Sequence, residues 1–122
     1  MARTTRQQTG ADGETRAAAL LETSGLAIVA RNWRCRAGEL DIVAREPGAS
    51  GGLVFVEVRS RASNSFGGAR ASVTPAKQMR LARAAELFRQ VTRSKHLPCR
   101  FDVVVIEGGA LEWIRDAFQL GS

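Results

Sequence analysis

The sequence predicts a single α/β domain in which a mixed sheet is flanked by helices, and three observations carry that prediction. The chain has 122 residues, enough for one compact domain and too few for two. Its apolar segments follow the order helix, three strands, helix, strand, strand. The second helix is also long enough to carry the crossover that a parallel strand pair needs.

Taken in order, residues 1–9 are polar, basic and aperiodic, and read as a disordered tail ahead of one domain over residues 10–118. A first helix is expected from Ala11 to Thr23, stopped by Gly25. Leu26–Arg34 reads as a strand, and Cys35-Arg36-Ala37-Gly38 turns the chain into a second strand, Glu39–Arg45. The stretch Pro47-Gly48-Ala49-Ser50-Gly51-Gly52 is a turn, followed by a third strand, Leu53–Arg59. Ser60–Val73, with Gly67-Gly68 at its centre, reads as a long mobile loop of the kind that is usually functional or disordered. Thr74 and Pro75 are N-cap and first residue of a second helix reaching about Arg93, with Leu81, Ala84, Ala85, Phe88 and Val91 as its apolar stripe. Arg100–Glu107 is a strongly apolar strand, Gly108-Gly109 a turn, and Ala110–Arg115 a short last strand.

A hydrophobic fraction of 44% and a charged fraction of 25% are ordinary for a globular protein, but a net charge of +6 is high for a small metabolic enzyme. It points to a polyanionic partner, nucleic acid ahead of an anionic membrane. Only Lys77 and Lys95 of the 18 basic residues are lysine. The apolar run Ala17–Leu21 is too short for a signal-peptide core or a membrane span. Cys35 and Cys99 have no metal-ligand spacing and read as reduced thiols of a cytoplasmic protein. His96, the lone histidine, reads as a surface residue before Leu97-Pro98.

The chemistry lies in two acidic strands. Asp41 stands between Leu40 and Ile42, and Glu57 between Val56 and Val58, so the flanking apolar residues are expected on one sheet face and the carboxylates on the other. An unpaired charge within an apolar strand is costly. Two carboxylates, the backbone carbonyl of Val58 and water would suit Mg²⁺, which prefers oxygen ligands and keeps several waters. Such an ion activates water and clamps phosphoryl oxygens. Arg59 shares a face with Glu57, and because arginine does not deprotonate, its role would be electrostatic. Glu14 falls on the apolar stripe of the first helix, three, four and seven residues before Ala17, Ala18 and Leu21. Lys77, Gln78 and Arg80 lie in the first turns of the second helix, a natural phosphate site. Arg34, Arg36 and Arg61 extend the basic surface. Asp102 is expected to pair with Arg100 or a helix arginine. Each residue taken alone has an ordinary alternative as a solvated or ion-paired surface charge.

Gly13-Glu14, Arg31-Asn32, Gly38-Glu39-Leu40-Asp41, Phe55-Val56-Glu57-Val58, Phe66-Gly67, Lys77-Gln78 with Arg80-Leu81, and Arg100-Phe101-Asp102-Val103-Val104 follow one another in a characteristic order. That series, over about residues 10–118, resembles the YraN family, small bacterial proteins of unestablished function. The family in turn resembles restriction-endonuclease-like nucleases, and among them the archaeal Holliday junction resolvases. The resemblance implies a restriction-endonuclease-like core (αβββαβ) that binds Mg²⁺ or Mn²⁺ and acts on nucleic acid, DNA first. A homodimer would be compatible with a substrate that has two strands to cut. It assigns Glu14 as the helix acid, Asp41 and Glu57 as the strand acids and Gln78 as the polar residue of the second helix. Arg59 stands where the family usually has lysine. The expected activity is a metal-dependent endonuclease for structured or branched DNA. The alternatives are a nucleic-acid-binding module without turnover, favoured by Arg59, and a protein-interaction module.

Overall fold

The computed structural model describes residues 6–60 and 73–119, with the side chains of residues 6–11 left aside. Two helices and five strands follow in the order α1 (Arg6–Thr23), β1 (Ala27–Cys35), β2 (Gly38–Arg45), β3 (Leu53–Ser60), α2 (Pro75–Val91), β4 (Cys99–Glu107) and β5 (Ala110–Phe118). The first six are the αβββαβ core, and β5 extends it. One sheet holds all five strands in sequence order, antiparallel except for the parallel β3–β4 pair that α2 connects. Helix α1 begins five residues before the expected Ala11 and takes in residues 6–9 of the expected tail. Strand β5 runs three residues past the expected Arg115. Of the expected loop, residues 61–72 lie outside the described residues, and with them Arg61 and Phe66-Gly67.

The helices cover opposite faces. Ala17, Ala18 and Leu21 of α1 pack on Ile42, Ala44, Val54, Val56 and Val104. Alanines on this helix let it lie close to the sheet. Gly13 takes that further, since a Cβ there would stand 2.7 Å from Ile106 Cδ1. At the other end Gly25, at φ 100°, closes α1: Leu26 N–H donates to Leu21 O and Gly25 N–H to Glu22 O, both at 3.0 Å. The α2 face is aromatic. Phe88 meets Trp33 and Phe55 edge-on at 5.3 and 6.0 Å, and Phe55 and Phe101 stack at 5.5 Å.

Leu81, Ala84, Ala85 and Phe88 form the buried stripe of α2, as expected, but Val91 is 68% exposed. It is the last residue of the helix, where Thr92 turns back to bond Phe88 O through its own hydroxyl at 2.7 Å. At the other end Thr74, in an extended conformation, accepts from Lys77 N–H at 3.2 Å, with Pro75 at the first helical position. Thr74→Ala is therefore expected to cost about 1 kcal/mol in urea unfolding, the usual worth of such a cap. Among the described residues no helix is long and apolar enough to cross a membrane. His96 is exposed and both cysteines are free, as their sequence contexts suggested.

Candidate active site

Strict alternation holds along β3 and fails in β2. Val56 and Val58 both face the α1 cluster, which sends Glu57 and Arg59 to the other side, as expected. Around Asp41 the expectation of one apolar face is corrected: Leu40 packs in the α2 cluster and Ile42 in the α1 cluster. The pairing explains why. The β2–β3 ladder ends at Ile42 and Val56, so the two strands no longer constrain one another where the acids begin. The Asp41 side chain takes the place of the missing main chain, its Oδ2 accepting from Val58 N–H at 2.9 Å. In an extended strand the N–H and C=O of one residue face the same neighbour. The Val58 carbonyl therefore also looks toward Asp41.

Glu57 is buried, with 5% of its side chain exposed. Leu40, Phe55, Leu81 and Phe101 line a small cavity against it. Its Oε2 lies 3.5 Å from Lys77 Nζ and 3.6 Å from Arg59 Nη1. Its Oε1 is buried and has no hydrogen-bond partner among the described residues. Burial first, and then the negative charge of Asp41, push the Glu57 carboxyl up to about 7 against the pull of Lys77 and Arg59. Asp41 is also raised, by burial ahead of the bond from Val58 N–H that opposes it, and the two carboxyls are close enough to share a proton.

Glu14 reaches the same region from α1. Its carboxyl is raised by partial burial, then by Asp41 and, more weakly, by Glu39, while a bond to Asn32 and the charge of Arg31 oppose this. Arg31 Nη2 stands 3.9 Å from Glu14 Oε1 and 3.2 Å from Thr15 Oγ1. Asn32 holds its place in β1 at φ 53°, in the left-handed region that asparagine tolerates.

Of the residues singled out in the sequence, Asp41, Glu57 and Arg59 thus meet, and Glu14 approaches Asp41 from the α1 side. Gln78 turns elsewhere: its amide nitrogen donates to Val73 O at 3.0 Å and ties down the start of α2. Arg36 and Arg80 are exposed, and Arg34 is largely exposed, 3.5 Å from Glu39. Lys77, read as a phosphate contact, faces Glu57 directly. Two participants, Glu39 and Asn32, stand in the motif series of the sequence but were given no role there; Glu39 lies two residues before Asp41, a spacing that flags a shared strand face.

Do these groups fit a divalent ion? Among the described residues no group of three or more His, Cys, Asp or Glu encloses one. The donor types are nonetheless ones that Mg²⁺ takes: two carboxylates, one with a buried oxygen that has no partner among the described residues, and the Val58 carbonyl on the side of Asp41. Two acceptors this close need a proton or a cation between them, and the oxygen donors present suit either.

The model of the uncharacterised protein family UPF0102 matches residues 13–106. A UPF0102 protein of Ralstonia pickettii is 57% identical over 116 residues, covering 90% of this chain and 89% of the relative. One from Cupriavidus pinatubonensis is 52% identical, covering 97% and 91%, and one from Burkholderia pseudomallei 54% identical, covering 90% and 74%.

Proposed function

From the premise that the chain belongs to the UPF0102 family, the YraN family of the motif series, we propose that it is a metal-dependent endonuclease hydrolysing phosphodiester bonds in structured or branched DNA. One observation carries the reading: Asp41 and Glu57 are brought together where β2 and β3 part, with a Glu57 oxygen that has no partner among the described residues and two cations beside them. Asp41, Glu57 and the Val58 carbonyl would hold Mg²⁺ or Mn²⁺. The ion would supply a Lewis acid for the phosphate and an activated water. Arg59 and Lys77 hold positive charge at the carboxylate pair, where negative charge builds on the phosphate during attack. Glu14, raised by burial and by Asp41, extends the acidic wall from α1. The net charge of +6 favours a polyanionic substrate.

A second reading, a nucleic-acid-binding module without turnover, is favoured by Arg59. A guanidinium and an ammonium already at Glu57 can neutralise it without a metal. The two readings separate on a panel of duplex, single-stranded, flap and four-way-junction DNA, incubated with Mg²⁺ or Mn²⁺ beside Asp41→Ala and Glu57→Ala. Cleavage of at least one substrate is expected, and its loss in both variants. Cleavage that survives both substitutions comes from a contaminant and sinks the assignment. Binding without cleavage, weakening steeply with salt, selects the binding module.

A further inference from the structure

β3 carries a guanidinium but no ammonium, and α2 supplies one. Lys77 Nζ reaches Glu57 Oε2 from the first turn of the helix, at 3.5 Å, with 32% of its side chain exposed. An ammonium carries three donors, so one directed at Glu57 leaves two that no other side chain among the described residues is shown to take. Its backbone is fixed: Lys77 N–H is held by Thr74 Oγ1, Gln78 N–H by Thr74 O at 2.9 Å, and the Gln78 amide by Val73 O. The lysine therefore stands at the positive end of a capped helix, a setting that favours a phosphate oxygen. The other oxygen of the same carboxylate, the buried Oε1, has no partner among the described residues and leaves an acceptor open for a cation or donor that would arrive with the phosphate. Arg59 faces the same Oε2 at 3.6 Å, but its planar, rigid fork is not a substitute for a compact ammonium.

We propose that Lys77 is a catalytic residue, its ammonium bridging Glu57 Oε2 and a non-bridging oxygen of the DNA phosphodiester. Arg59 then acts as a positioning residue that holds Glu57. The inference rests on the nuclease reading for its catalytic part, whereas the contact itself is open to measurement without turnover.

The chain offers a direct probe, since Lys77 and Lys95 are its only lysines. Lys95 pairs with Glu86 at 3.3 Å, beyond the other end of α2, and serves as internal control. With ¹³C-labelled lysine, a 12-base-pair DNA duplex is titrated in EDTA and again in Ca²⁺. The Lys77 Cε signal is expected to shift while that of Lys95 stays in place, and a duplex with neutral methylphosphonate linkages should leave both unmoved. Equal shifts of both lysines, or none at Lys77, would overturn the contact. In the cleavage assay Lys77→Met is expected to lower kcat about a hundredfold, the usual cost of one charge-stabilising donor, with KM changed little. Lys77→Arg should recover part of this and Arg59→Met should cost less than Lys77→Met. Wild-type kcat in Lys77→Met beside a dead Glu57→Ala would refute the catalytic role and leave the nuclease reading standing. A Lys77 shift in a protein that cuts nothing would do the reverse, keeping the contact and discarding turnover.

Discussion

Glu57→Gln is expected to make the protein more stable above neutral pH while abolishing divalent-dependent cleavage. The folded chain holds the Glu57 proton up to about 7, against 4.5 for the free side chain. A carboxyl raised on folding contributes stability that is fully present below its unfolded pKa and is lost as pH climbs through the folded one. The wild type should therefore lose roughly 3 kcal/mol between pH 4.5 and pH 8 on account of this group. Glutamine mimics the protonated acid and does not titrate. The difference in unfolding free energy between variant and wild type, measured by urea in EDTA, should thus grow by that amount over the interval in favour of the variant. Asp41, also raised, adds in the same direction. Mg²⁺ should narrow the gap at pH 8 by stabilising the wild type and not the variant, because a ligand that binds only the native state raises its stability. A difference that stays flat from pH 5 to pH 8 would show that Glu57 ionises freely in the folded protein, and the strained carboxylate pair would be lost as an argument.

The sequence carried the order of elements because each was marked locally. Thr74-Pro75 and Gly25 punctuate the helices, and apolar runs, broken by Glu57 in one and Asp102 in the other, gave β3 and β4. The shared face of Glu57 and Arg59 was legible through strand parity, and the inward place of Glu14 on α1 through helix periodicity, while their grouping with Asp41 came from the family resemblance. The orientation around Asp41 was not legible, because period-two reasoning assumes a continuous ladder, and the ladder stops at Ile42 and Val56. Similar breaks act in β1, where the register shifts between Ile28 and Ala30 and Asn32 adopts a positive φ. Ile28 thus packs toward α1 while Ala30 and Trp33 pack toward α2. The partner of Glu57 was illegible for a different reason. Lys77 lies 20 residues away in sequence, and only the β3–α2–β4 crossover brings its long side chain to the carboxylate.

Asp102→Ala is expected to cost about 3–5 kcal/mol, the loss typical of removing one member of a buried ion pair. Asp102 and Glu57 are the buried acids among the described residues, at 0% and 5% exposure, yet their surroundings are opposite. Each oxygen of Asp102 accepts twice: Oδ1 from Arg100 Nε at 3.0 Å and Asp116 N–H at 2.8 Å, Oδ2 from Arg100 Nη2 at 3.1 Å and Trp113 Nε1 at 2.9 Å. Arg100 also reaches Glu46 at 2.9 Å. The bond to Asp116 N–H holds that residue at φ 52°, near a shift in the β4–β5 register. Alanine would strand two N–H donors and leave the Arg100 guanidinium with Glu46 as its one carboxylate partner among the described residues, a large fraction of the 5–15 kcal/mol that typically separates a domain from its unfolded state. The urea midpoint should fall sharply with the slope unchanged. Asp102→Asn, which keeps the shape but turns donors toward donors, should recover only part of the loss. An alanine variant as stable as wild type would mean that water replaces the carboxylate, and the network would not be what pins β5 to the sheet. A saturated acid of this kind has no valence left for a ligand. That contrast with the open Oε1 of Glu57 is the physical ground for treating one buried acid as a fastening of the fold and the other as part of a site.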